Sequence, residues 1–273
     1  MPTTTDYVLG QSAEAARRLE IQDRHFAGAS EQLLDFLKLR PSDRVVELGC
    51  GAGMFSRRII ERLGAGGTLV SVDSAPGLLE QAKALLANSG PAKFEPTFAD
   101  ASQLGTWLDG ADVVTGRAVL HHIPMAEFLL GRLRTRVRPG TRIGFMEPDF
   151  RAPLARVAHL EATGRTELAP LRVWATVINE LYLIRRISPC VGATLATAFT
   201  DAGYRNVQHA YHEFPCNDLV IDNMIMFYDE VGETLENLGI ITRAECAKQQ
   251  ELLRLVPMGS PAVWGTHVVS CEA

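Results

Sequence analysis

The chain has 273 residues, 47% of them hydrophobic and 22% charged, which is a globular composition with length enough to bury a core. Its net charge of -5 supplies no positive field to attract nucleic acid or an anionic membrane surface, so neither is expected as a partner. Five cysteines, at 50, 190, 216, 246 and 271, are odd in number and scattered, which suggests neither a disulfide framework nor a metal site and fits a reducing, cytoplasmic setting.

The start, Met1 to Asp6, carries no cationic and apolar leader, and no apolar run approaches spanning length, so neither export nor a membrane span is expected. Leu19, Phe26, Leu33 and Phe36 predict a helical N-terminal region. From about residue 43, short β-branched runs alternate with amphipathic ones, the pattern of a parallel sheet covered on both faces. Arg44 to Leu48 is the first strand, followed by a glycine-rich turn and a helix that Gly64 stops. Thr68 to Asp73 is the second strand. Leu78, Leu79, Ala82, Leu85 and Leu86 then recur at helical spacing.

Strands follow at about 93 to 98, 111 to 116 and 141 to 147, with a helix from Met125 to Val137 between the last two. Arg132, Arg134, Arg136 and Arg138 alternate with Leu133 and Val137 as a solvated helix face. Residues 151 to 189 read as one or two helices, 192 to 202 as another, Val207 to Phe214 as a strand, 217 to 256 as mostly helical, and Trp264 to Ser270 as the last strand. The fold class is therefore α/β, a seven-stranded, mostly parallel sheet in one domain over 1–273. Residues 1–40 are expected as an N-terminal helical lid on a ligand-binding core, 41–150, and residues 151–190 and 217–258 as helical insertions that close a substrate chamber at the strands' carboxyl ends.

The strongest signal is Glu47-Leu48-Gly49-Cys50-Gly51-Ala52-Gly53, set between a predicted strand and a predicted helix. Its glycines permit a tight turn and let a ligand approach the backbone. Asp73, twenty residues after Gly53, ends the second strand, where a carboxylate can accept both ribose hydroxyls of an adenosine-containing ligand. Gly-x-Gly-x-Gly spacing, with an acid just ahead of it, suits a cationic amino group better than a diphosphate, which argues against a nicotinamide dinucleotide. Read singly, Asp73 and Asp100 could each instead cap a helix or a turn.

Together with Phe98-Ala99-Asp100-Ala101, Arg117 to Pro124 and Arg138-Pro139-Gly140, this turn resembles the motifs of class I S-adenosylmethionine-dependent methyltransferases. Ala16-Arg17-Arg18-Leu19-Glu20 resembles the ubiquinone and menaquinone biosynthesis-type small-molecule branch; the likeness covers residues 17 to 150 well and the rest loosely. It implies a Rossmann-like fold with S-adenosyl-L-methionine as cofactor and S-adenosyl-L-homocysteine as product. It further implies that Gly49, Cys50 and Gly51 pack against the methionine and ribose portions, with Glu47 near the amino end. Asp73 would hold the ribose, Ser74 lie beside the adenosine, Asp100 take the adenine amine, Ala101 offer its N–H to the ring, and Arg117 line the sulfonium end.

Methyl transfer from a sulfonium is an in-line displacement, so the protein must align the acceptor, exclude water and, for weak nucleophiles, remove a proton. His121 and His122 follow the fourth strand and are the candidate bases, one pointing into the pocket; packing and capping are the other readings for the pair. His25, Glu147, Tyr182 and His212 are further candidates. His25, Trp174, Tyr182 and Tyr228, with Phe227 and Trp264, are candidates to line an apolar or aromatic acceptor chamber. The histidines show no ligand spacing, so no metal is expected. No Asn-Pro-Pro-aromatic motif follows the fourth strand, and Glu147-Pro148-Asp149-Phe150 follows the wrong one, so the acceptor is expected to be a small molecule, oxygen ahead of carbon or nitrogen. Another reaction on the same fold, such as a cyclisation, stays open, as does a homodimer.

Overall fold

The computed structural model describes residues 13–261 and 264–273, and side chains from residue 17 onward, so residues 1–12 of the expected N-terminal lid and the side chain of Ala16 lie outside the described residues. Seven strands form one sheet in the order β3-β2-β1-β4-β5-β7-β6: β1 (Arg44–Leu48), β2 (Thr68–Asp73), β3 (Lys93–Phe98), β4 (Val113–Arg117), β5 (Arg142–Asp149), β6 (Arg205–Glu213) and β7 (Gly265–Glu272). Strands β1 to β5 run parallel, and β7 runs antiparallel between β5 and β6. The central strands are buried along almost their whole length, as a sheet covered on both faces requires. Edge strand β3 tolerates Pro96, which a central ladder would not.

Alternation sends successive residues to two cores. Val45, Leu69, Val113 and Met146 join the helices α2 (Ala27–Leu37), α3 (Met54–Ile60), α7 (Ala169–Ile184) and α9 (Asp218–Asn237). Val46, Val70, Val114, Ile143 and Phe145 join α5 (Ala126–Arg136) and α8 (Val191–Asp201). Helix α4 (Pro76–Leu86) covers β2 and β3. Helix α2 turns Ala29, Leu33 and Leu37 onto β5, and Gly144 allows the close approach: a Cβ there would stand 2.9 Å from Leu33 Cδ1.

Helix α1 (Ala13–His25) packs on α9, α9 on α10 (Arg243–Leu253), and α10 on α7, while α6 (Arg151–Ala162) leads from β5 into α7. Among the described residues no helix is long and apolar enough to cross a membrane. Several boundaries differ from the sequence reading, among them β4, which starts at Val113, and β6 and β7, which span Arg205–Glu213 and Gly265–Glu272, and two have a clear cause. Helix α3 ends at Ile60 because Arg62 and Leu63 donate to Ile59 and Ile60 in a tight turn, and Gly64 N–H goes to Pro41 instead of capping the helix. Strand β5 runs on to Asp149 because β7 pairs with it up to Gly265.

Leu33 is fully buried at the α2–β5 contact. Leu33→Ala is expected to lower the unfolding free energy by about 2–5 kcal/mol in urea titration, with an unchanged m-value.

Candidate active site

The order in which the strands lie sends the chain outward from β1 to β3 and then, from β4, to the other side, so the carboxyl ends of β1 and β4 open a crevice between them. Around it lies a cavity of about 860 Å³, walled by α1, the turns after β1, β2, β3 and β4, the end of β5, and α7.

One end is built on the glycine turn. Gly49, Gly51 and Gly53 all have positive φ, and a Cβ on Gly49 would lie 2.5 Å from Val119 Cγ2, so the turn and the β4 loop meet only because that position lacks a side chain. Gly49 N–H donates to Val72 at 2.8 Å, tying the turn to β2. Asp73 completes it: one carboxylate oxygen accepts Gly51 N–H at 2.7 Å, the other Ala75 N–H at 2.9 Å. Burial raises the Asp73 pKa, and the amide donors work against that rise.

Gly49, Cys50, Gly51, Asp73, Ser74, Asp100, Ala101 and Arg117 all line the cavity. Asp100 also caps the short 3-10 turn at Ala101–Gln103, accepting Ser102 N–H at 2.8 Å. Arg117 donates to Asp23 at 2.6 Å and to Ser30 at 3.1 Å, with its guanidinium over the Phe55 ring. Glu47 is the exception. It is absent from the wall, 1% exposed, and accepts the hydroxyls of Ser56 and Ser71 behind the turn; burial pushes its pKa up to about 7. Strand alternation puts Glu47 on the face of Val45, beneath α3, and not toward the crevice.

The other end is organised by Glu147, fully buried near the end of β5. Its Oε1 accepts Val119 N–H at 2.9 Å and Leu120 N–H at 2.8 Å, and its Oε2 accepts His121 N–H at 3.2 Å and contacts His121 Nδ1 at 2.9 Å. Burial pushes Glu147 up to about 7, opposed by these amides, and pushes His121 down to about 3 and His122 well below its usual range. The His121 and His122 rings stand 3.9 Å apart, and Tyr182 lies nearly parallel to His121 at 5.7 Å. All three residues line the cavity.

The structure does not bring His25, Trp174 or Tyr228 to the cavity wall. Trp174 and Tyr228 are 1% exposed in the core among α7, α9 and Phe227. His25 packs against Phe26, Phe214 and Trp264, with burial pushing its pKa down to about 4. Trp264 and Phe26 line the wall instead. Tyr228 belongs to α9, none of whose residues lines the cavity, while His25 at the end of α1 and Trp174, two turns before Tyr182 on α7, are covered by Phe26, Phe150 and Trp264, which stand at the wall in their place. Arg18, Gln22, Phe150, Arg185, Ile187 and Thr266 line the wall without having been singled out as site residues. Arg18 lies in the motif at 16–20, the only local signal for any of them.

Residues 46–143 match the family model described as a methyltransferase domain. The aklanonic acid methyltransferase of Streptomyces sp. (strain C5) is 26% identical over 71% of this chain and 93% of its own length. The trans-aconitate 2-methyltransferase of Rhizobium leguminosarum bv. trifolii (strain WSM2304) is 28% identical over 75% of this chain and 74% of its own. Among solved structures, Haemonchus contortus phosphoethanolamine N-methyltransferase 2, bound to phosphomonomethylethanolamine and S-adenosylhomocysteine, shares the fold with a TM-score of 0.56 at 11% identity, over 96% of this chain and 58% of that one. None of these three belongs by name to quinone biosynthesis, the branch that residues 16–20 resemble.

His25 offers a test of the wall's interior. Its folded pKa lies near 4 and its ordinary one at 6.5, so the unfolded chain takes up the proton first; stability from the neutral ring is present above 6.5 and is lost as pH falls toward 4. His25→Phe is expected to gain about 2 kcal/mol over the parent at pH 5 relative to their difference at pH 8, read by denaturant unfolding at both pH values.

Proposed function

We propose that this class I S-adenosylmethionine-dependent methyltransferase methylates an oxygen of a small, largely apolar or aromatic acceptor, with His121 and Glu147 together taking the proton. The observation that carries the reading is Glu147 held by three successive amides against His121 Nδ1, on a loop that lines the cavity. With Glu147 ionised, Nδ1 keeps its proton for the carboxylate and Nε2 holds the ring's lone pair. With Glu147 protonated that polarity reverses, and Nε2 becomes a donor. His121 alone is a weak base, but a proton taken at Nε2 can be matched by passage of the Nδ1 proton to Glu147, so the pair titrates as a unit near the Glu147 value of about 7. Such a unit suits an acidic hydroxyl, a phenol or an enol.

The cofactor supplies a methyl group on a sulfonium, and the residues fit it. Gly49, Cys50 and Gly51 present backbone to its methionine and ribose portions. Asp73 keeps unused lone pairs beside its two amide bonds for the ribose hydroxyls. Ser74, Asp100 and Ala101 flank the adenine, and Arg117, held by Asp23, lines the sulfonium end. Glu47 acts from behind, bracing the turn through Ser56 and Ser71.

Tyr182, Phe150 and Trp264 form the apolar side for the acceptor, while His25, Trp174 and Tyr228 support that wall from within. Residues 13–40, 151–190 and 217–258 serve as the lid over the 41–150 core, excluding water from the displacement. Relatives that act on aklanonic acid and on trans-aconitate support a small-molecule acceptor. The free, mostly buried cysteines support a cytoplasmic setting.

Isothermal titration with S-adenosylhomocysteine is expected to show binding that Asp73→Asn weakens about tenfold or more. A folded wild-type protein that binds none would remove the cofactor assignment. With an acceptor drawn from a panel of phenols and enols, kcat/KM is expected to rise with pH through about 7, since Glu147 must lose its proton first. His121→Gln is expected to lower the rate by about 10²–10⁴ with little change in S-adenosylhomocysteine affinity, and a pH-independent wild-type rate would sink the dyad.

A further inference from the structure

The wall formed by α1 holds a cation that methyl transfer, as derived above, leaves unused. Arg18 is 4% exposed, lines the cavity and gives its Nε to Glu230 Oε2 of α9. Among the described residues, Arg18 Nη2 and Glu230 Oε1 are both enclosed without a hydrogen-bond partner. An arginine–glutamate pair serving packing alone would close along both edges, because a buried guanidinium N–H left unpaired is costly. The one-point pair leaves this guanidinium with a fork to spare.

Its position follows from its neighbours. Leu19, the next residue, packs over Gly51, its Cδ1 lying 3.6 Å from where a Cβ would stand. Arg18 and His122 line the same cavity, and the Arg18 charge acts on the His122 ring. Gln22, one helical turn on, lines the same wall. Arg117, the neighbouring cation, is already committed through its Nη1 to Asp23 and Ser30. The carboxylates that line the wall are Asp73 at the end of β2 and Asp100 after β3, whereas the two acids beside α1's wall, Glu230 and Asp23, are each already paired with an arginine.

We propose that Arg18, with Gln22 beside it and Glu230 holding it in place, is a carboxylate-binding anchor of the cavity. The proposal rests on the methyltransferase reading of that cavity. A planar carboxylate matches the guanidinium fork with two parallel hydrogen bonds, which a lysine could not reproduce. Two carboxylates could occupy it: the α-carboxylate of the cofactor's methionine portion, or an acid group on the acceptor.

Calorimetric titration of the full chain separates them. Wild type, Arg18→Gln, Arg18→Lys and Glu230→Gln are each titrated with S-adenosylhomocysteine and with 5′-methylthioadenosine, which lacks the amino-acid portion. The S-adenosylhomocysteine complexes are then titrated with trans-aconitate, 2-naphthoate and 2-naphthamide. Arg18→Gln is expected to weaken one class of carboxylate by about ten- to a hundredfold while leaving its carboxylate-free counterpart within about twofold. Arg18→Lys should fall between, and Glu230→Gln, which keeps the guanidinium, should bind the carboxylate as well as wild type or better. Loss confined to S-adenosylhomocysteine assigns the anchor to the cofactor, and loss confined to trans-aconitate or 2-naphthoate assigns it to the acceptor. Equal losses in Arg18→Gln and Glu230→Gln for every ligand, or none in Arg18→Gln, overturn the proposal. Should Arg18→Gln not fold, the contrast between Arg18→Lys and Glu230→Gln carries the same decision. A wild-type protein that binds no S-adenosylhomocysteine would instead overturn the reading beneath it.

Discussion

One carboxylate organises the site. Glu147 reaches from β5 across the end of β4 and gathers the N–H groups of Val119, Leu120 and His121 as well as the His121 ring. Three amides converging on one buried side chain leave the loop little freedom, because each would otherwise be an unsatisfied donor away from water. The loop in turn sets Val119 against Gly49, and so fixes the distance between the glycine turn and the histidine pair. Replacing Glu147 would therefore disturb both ends of the cavity, although it touches only one.

The opposite end uses the same device at smaller scale. Asp73 joins Gly51 of one turn to Ala75 at the entry to α4, so a single side chain holds two backbone segments that the sheet leaves adjacent. Two of the wall's cations are held by acids: Arg117, bonded to Asp23, and Arg18, bonded to Glu230. Helix α1 supplies Arg18, Gln22 and Asp23 from within two turns, so its seating affects both arginines. Charge beside the chamber is thus held in arginine–carboxylate pairs.

Much of the fold was legible because its signals are local. The β-branched runs of β1, β2 and β4, the glycine turn and the acid at the end of β2 all lie within a short stretch, where periodicity and spacing apply directly. Residues that line the wall from distant segments left no such trace. Gln22, Ile187 and Thr266 meet only through tertiary packing, and no period connects them. The aromatic positions of α7 and α9 showed the complementary difficulty. Composition marked Trp174, Tyr182 and Tyr228 alike, yet only Tyr182 lines the chamber, since which stretch of which helix reaches a cavity depends on tertiary packing. Glu47 could have been placed: its parity with Val45 along β1 already directs it under α3.

The position of β7 bears on how this molecule is assembled. Strand β5, which carries Glu147, is apolar and buried along nearly its whole length, yet its outer edge is paired only by β7, which the chain reaches after five further helices and β6. During synthesis the parallel strands can dock in sequence while β5 still shows an open ladder of backbone donors and acceptors. Of the inner strands β1, β2, β4 and β5, the one that carries Glu147 is the last to have its second flank covered, and the returning antiparallel strand is what seals it.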